Sequence, residues 1–131
     1  MENTRGAKRG QKPFDIKERT FQFAVTIIHL ANQLPSTIAG REIARQLIRA
    51  GTSVGSNMQA ADAAVSKRDF INDVRISRKE ARETHYWLSI IRGVGLLQKA
   101  EVGLLIDESW ELVRVLSAII RSATAHRPTE S

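Results

Sequence analysis

The chain contains no cysteine, which excludes disulfides and thiolate metal sites and fits a reducing compartment. It has no apolar run near the roughly 18 residues that a membrane span needs. Its basic start, MENTRGAKRGQKPF, lacks the apolar stretch of a signal peptide. These absences lead us to expect a soluble cytoplasmic protein that neither crosses nor enters a membrane. Proline is confined to positions 13, 35 and 128, so nothing prevents long helices between them. Aromatics are few (four Phe, two Trp and one Tyr), and there are no alternating β-branched runs or hairpin dipeptides, so strands are poorly supported. No internal repeat or low-complexity segment occurs. A length of 131 residues fits one domain.

What the chain does have is positive charge and helical periodicity. A net charge of +6 favours polyanionic partners. That charge is uneven: residues 1–12 carry +3 through Arg5, Lys8, Arg9 and Lys12 against Glu2, and residues 41–92 carry +4. Residues 93–131 are mildly acidic at −1. The pattern divides into a basic flexible tail over 1–13, a helical body over 14–124 and a second flexible tail over 125–131.

Apolar spacing predicts four helices, over about 14–33, 37–64, 66–92 and 99–123. The first has two stripes on different sides: Phe21, Val25, Ile28 and Asn32, and Phe23, Ile27, Leu30 and Leu34. The second buries Ile43, Leu47, Ala50, Val54 and Ala61, with Gly51 and Gly55 spaced to admit a close neighbour. The third opens on the capping sequence Ser66-Lys67-Arg68-Asp69, stacks Phe70, Val74, Ser77, Ala81, Leu88 and Gly95, and is closed by Gly93 and Gly95. The fourth turns Val102, Leu105, Ile106, Leu112, Val113, Leu116 and Ile120 inward, with Leu104 and Val115 on its other side. Four helices with short connections imply an all-α, antiparallel, up-down-up-down four-helix bundle. Surplus apolar surface on the first and last helices implies a homo-oligomer; an unusually thick core within one chain is the alternative.

The stretch KEARETHYWL, residues 79–88, gathers carboxylates, a hydroxyl, an imidazole and an indole. On a helix these do not converge. Glu80 and Thr84 share a half-buried stripe with Trp87, while Glu83 and Tyr86 are expected in solvent. Arg49, Ser53 and Asn57 follow one another at four-residue steps on the second helix. The expectation is therefore a structural polar seam of Ser53, Asn57, Glu80 and Thr84, with Arg49 as the charge partner.

Catalytic patterns are missing. A di-iron bundle needs Glu three residues before His, whereas Arg82 precedes His85 and Thr26 precedes His29 at that spacing. There is no zinc motif and no phosphate loop. Gly51-Thr52-Ser53-Val54-Gly55 matches the nucleophile-elbow pattern, but it lies within a helical pattern and not at a strand-to-helix turn. We therefore expect no catalytic residues, no metal and no cofactor. A hydrolytic reading around Ser53, Glu80 and His85 ranks last. Candidate phosphate contacts are Arg41, Arg45, Arg49, Lys67, Arg68, Arg75, Arg78, Lys79 and Arg82, with Asp69, Asp73, Glu80 and Glu83 interleaved. A Lys79–Glu83 pair at i, i+4 would neutralise part of this set. Only Tyr86 and Trp110 offer exposed stacking surface, so binding is expected to be backbone-dominated and sequence-tolerant.

Gln46-Leu47-Ile48-Arg49-Ala50, Ser53-Val54-Gly55-Ser56-Asn57, Ser66-Lys67 with Asp69-Phe70-Ile71, and Lys79-Glu80-Ala81-Arg82-Glu83-Thr84 with Tyr86-Trp87-Leu88 together form a pattern. It resembles the bacterial four-helix-bundle family of proteins encoded in intervening sequences of 23S ribosomal RNA genes, over about residues 20–122. The resemblance implies a bundle assembling as a ring, a homopentamer, with no established enzymatic activity. The chain is also similar in architecture to the accessory bundle proteins of diversity-generating retroelements, which implies nucleic acid and a reverse transcriptase or another protein as partners. The chain departs from the family pattern at Gln59 and Ala60, where acidic residues usually stand, so no acidic site is expected there. Together these readings favour a non-enzymatic oligomeric bundle that binds RNA or DNA through basic surfaces as an accessory or scaffold factor. The competing reading is a protein–protein assembly module that does not bind nucleic acid.

Overall fold

The computed structural model of the protein describes residues 15–125. Both expected tails, including Arg5, Lys8, Arg9 and Lys12, fall almost entirely outside that range. Four helices follow one another: α1 (Ile16–Ala31), α2 (Ile38–Asp62), α3 (Lys67–Val94) and α4 (Ala100–Ala125). Among the described residues there is no strand, and no helix is long and apolar enough to cross a membrane.

Local chemistry sets the helix ends. Asp15, Thr37 and Ser66 each cap a helix by accepting a bond from the backbone N–H three residues on, at 3.4, 3.0 and 3.0 Å. At the far end of α3, Gly95 takes the left-handed conformation (φ 79°), where a side chain would be strained. The N–H groups of Gly95 and Leu96 then both reach the Ile91 carbonyl at 3.0 Å.

Helices adjacent in sequence pack along their lengths, and α1 meets α4 through a narrower contact; the diagonal pairs do not approach. The core is built from the inward stripes: Phe23, Ile27 and Leu30 of α1, Leu47, Val54 and Met58 of α2, Val74, Leu88 and Ile91 of α3, and Leu112 and Leu116 of α4. Each large aliphatic side chain buried this way stabilises the fold by about 1.5–3 kcal/mol. Gly51 and Gly55 lie against α1. A Cβ added at Gly51 would sit 2.8 Å from Ile27 Cγ2, and one at Gly55 would sit 3.2 Å from the Thr20 carbonyl oxygen. The two glycines are thus where α2 lets α1 approach closely.

The buried hydroxyls all find carbonyls, as burial requires. Thr20 donates to Ile16, Thr84 to Glu80 and Ser109 to Ile106, each at 2.8 Å within its own helix. Ser77 is different. It donates across the core to the Val54 carbonyl at 2.7 Å and so ties α3 to α2.

The second stripe of α1 stays outside. Phe21 is 55% exposed and Ile28 38%, and on α4 Leu104 is 67% exposed. The single chain therefore covers one apolar face of α1 and leaves the other uncovered.

Candidate functional site

Of the four residues proposed as a polar seam, only Glu80 bridges the helices, to Arg49 as expected; the other three do not. Ser53 donates to the Arg49 carbonyl at 2.7 Å, Asn57 to the Ser53 carbonyl at 2.7 Å and Thr84 to the Glu80 carbonyl, so each satisfies itself within its own helix. The reason is local: on a helix the carbonyl four residues back is always within a hydroxyl's reach. What does bridge α2 and α3 is charge. Arg49 donates to Glu80 Oε1 at 3.4 Å and to Glu83 Oε2, which also accepts from the Trp87 indole N–H at 3.1 Å. Glu83 is thus a buttress between helices and not the solvent-facing residue the sequence suggested. It is engaged by Arg49 and not by Lys79.

The helical turn separates the charges of α3. At about 100° per residue, Asp69, Asp73, Glu80 and Glu83 fall within an arc of roughly 80° on the flank facing α2. Lys67, Arg68, Arg75, Arg78, Lys79 and Arg82 fall within another arc of roughly 120°, turned outward and toward α4. Acids and bases interleaved in sequence are segregated in space. Among the described residues, no ion pair is formed by Lys67, Arg68, Arg75, Arg78, Lys79 or Arg82.

The α2 cations are more committed. Arg45 pairs with Glu42 at 2.9 Å. Glu42 also accepts from Gln46, and hydrogen bonds from Gln46 and Arg45 hold its carboxyl below its ordinary range. Arg41 donates to the Ser36 carbonyl at 2.7 Å and Arg49 is held by Glu80 and Glu83. The nine candidate cations therefore do not share one surface: six line α3, and three sit on α2 with local partners. On the opposite side of the bundle, Arg19 binds Glu108 through two parallel bonds of 2.7 and 2.8 Å, which join α1 to α4 where their packing is thinnest. That bond to Glu108 raises the Arg19 guanidinium above its ordinary value, outweighing the opposite effect of partial burial.

Between α3 and α4 the bundle carries a shallow groove. Arg78 donates to Ser117 Oγ at 3.2 Å. The His85 ring lies 5.4 Å from that of Trp110, and the Arg82 guanidinium lies 5.9 Å from the same indole. Further along, a Cβ built at Gly103 would meet Arg92 Nη1 at 4.0 Å. These contacts step by seven residues on each helix (78, 85, 92 against 117, 110, 103), two turns at a time in antiparallel register. Arg92 was not among the sequence candidates. Its seven-residue spacing from His85 and Arg78 is the signal that marks it.

Among the described residues no three His, Cys, Asp or Glu gather as a metal site. His29 and His85 lie on different helices, and His126 falls outside the described residues.

The family model described as 23S rRNA-intervening sequence protein matches residues 12–118. Among solved structures, the chain is similar to a protein of unknown function from the S23 ribosomal protein family of Bacteroides thetaiotaomicron VPI-5482, with 32% identity and a TM-score of 0.72. The match covers 80% of this chain and 97% of that one. No curated protein matches.

Proposed function

The chain belongs to the 23S rRNA-intervening sequence protein family, and from that premise we propose that it is a non-enzymatic, oligomeric bundle that binds the phosphate backbone of RNA or DNA along α3. One observation carries the reading. The cations of α3 are cleared of carboxylates and gathered on one outward face, as phosphate binding requires. Helix stability does not explain them all. Lys67 and Arg68 occupy the first turn of α3, where the helix dipole is already positive and a cation costs about 0.3–1 kcal/mol. Cations in that position favour an external anion.

The uncovered apolar surfaces support assembly. Phe21 and Ile28 are exposed on α1 and Leu104 is exposed on α4, so the two patches lie on different helices. Two different patches suit a head-to-tail contact, which closes into a ring when the rotation allows. Five copies is the number that the family resemblance implies. Light scattering is expected to give a multiple of the 14.6 kDa chain mass, and Phe21→Glu is expected to shift it toward a single chain. A wild-type protein that stays at one chain mass contradicts the ring.

A gel-shift with mixed RNA and DNA tests the function. Retarded complexes at low salt support phosphate binding. A protein that assembles but shifts neither nucleic acid points instead to a protein–protein module.

A further inference from the structure

Trp110 is one of three exposed aromatics among the described residues, 39% exposed beside Phe21 at 55% and Tyr86 at 56%, and it lies against cationic side chains and not in the core. Two neighbours of its ring come from α3. Arg82 sits over the indole at 5.9 Å and His85 flanks it at 5.4 Å with the rings tilted by 49°. Arg78 lies two turns to one side and Arg92 two turns to the other, roughly 10 Å each way. The α4 residues facing those arginines are small, Ser117 and Gly103, and the arginine side chains lie over them on both sides of the indole.

We propose that Trp110, framed by Arg82 and His85, is a base-stacking platform, and that the α3–α4 groove therefore takes single-stranded nucleic acid in preference to duplex. This rests on the phosphate-binding reading above and narrows it. An exposed indole offers a stacking surface to any base, and the arginine beside it adds cation–π attraction and a phosphate contact. In the interior of a duplex both faces of every base are already stacked, so away from the two ends the indole gains nothing while the arginines still see the phosphates. From Arg78 to Arg92 the groove runs roughly 21 Å, room for about six nucleotides at a stacked rise of ~3.4 Å. Charge complementarity names the occupant. Arg78, Arg82 and Arg92 of α3 and Arg114 and Arg121 of α4 border this side, against Asp107 and Glu111, and Glu111 is already paired with Arg114 at 2.8 Å.

The test compares three ligands by fluorescence anisotropy with the full chain: oligothymidylate, an abasic phosphodiester chain of equal length, and a blunt DNA duplex. Wild type is expected to bind oligothymidylate most tightly. Trp110→Ala is expected to weaken oligothymidylate about tenfold while leaving the abasic chain and the duplex within about twofold, and Trp110→Phe to recover most of the loss. As a second readout that needs no change at the site, oligothymidylate is expected to quench Trp110 emission in a Trp87→Phe background, and the abasic chain is not. Equal wild-type affinity for all three ligands without quenching overturns the platform and leaves phosphate binding standing. So does a Trp110→Ala loss that falls on all three alike. Failure to bind any of the three overturns both readings.

Discussion

Reversing three exposed charges on α3 together, Arg75→Glu, Lys79→Glu and Arg82→Glu, is expected to weaken nucleic-acid binding by at least about a hundredfold at low salt. The three residues rise along one face of the helix about one turn apart, and no described carboxylate neutralises them. Reversal removes three sites of counterion release and adds three repulsions on the same strip. Folding should change little, because exposed substitutions usually stay within about 0.5 kcal/mol each, with loss of the Arg82–Trp110 contact adding about 0.5–1 kcal/mol. Circular dichroism before and after melting checks that point. Arg45→Glu is the control: its charge is already offset by Glu42, so the loss of affinity should be small. A loss per reversed charge from the control as large as that from the triple variant would mean that net charge, and not the α3 surface, governs binding.

Gly40→Ala is expected to destabilise the protein by about 2–3 kcal/mol and to lower the melting midpoint by about 5–15 °C. In an open helix the same change gains up to about 1 kcal/mol, so the prediction opposes intrinsic propensity. The cause is the connection between α1 and α2. A Cβ on Gly40 would lie 2.0 Å from the Pro35 carbonyl oxygen and 2.9 Å from its carbon. That backbone cannot swing away cheaply, because Thr37 caps α2 by accepting the Gly40 N–H at 3.0 Å. Relieving the clash therefore means weakening the cap as well. Gly93→Ala provides the contrast, since nothing lies within 4 Å of its added Cβ, and it should be neutral or slightly stabilising. Matching melting curves for the two variants would refute this view of the turn.

Much of the bundle could be read before any coordinates. The seven inward residues assigned to the fourth helix are all buried, and Ser66 caps the third helix where the capping sequence placed it. These features depend on spacing along one helix, which a linear sequence carries directly. Partner choice across helices is what it does not carry. The sequence offered Lys79 as the partner for Glu83 and Arg49 for Glu80, whereas Arg49 engages both carboxylates. The first needs only the i, i+4 step, while the second depends on how α2 and α3 cross. Ser77 was expected simply to fill a core position, yet it donates to Val54, 23 residues away in sequence. The separation of acids from bases on α3 is a middle case. It follows from the helical turn angle alone, but reading the residues in order makes them look mixed. The groove at Trp110 required the register of α3 against α4, and no single-helix pattern contains that.

The most direct test of phosphate binding along α3 is the salt dependence of affinity. With single-stranded ligand, log K plotted against log salt should fall linearly with a slope of about −2 or steeper, since each of at least three phosphate contacts releases roughly 0.7 of a counterion. The triple charge-reversal variant should lose most of that slope. Wild-type binding that holds constant from low to high salt would contradict the account.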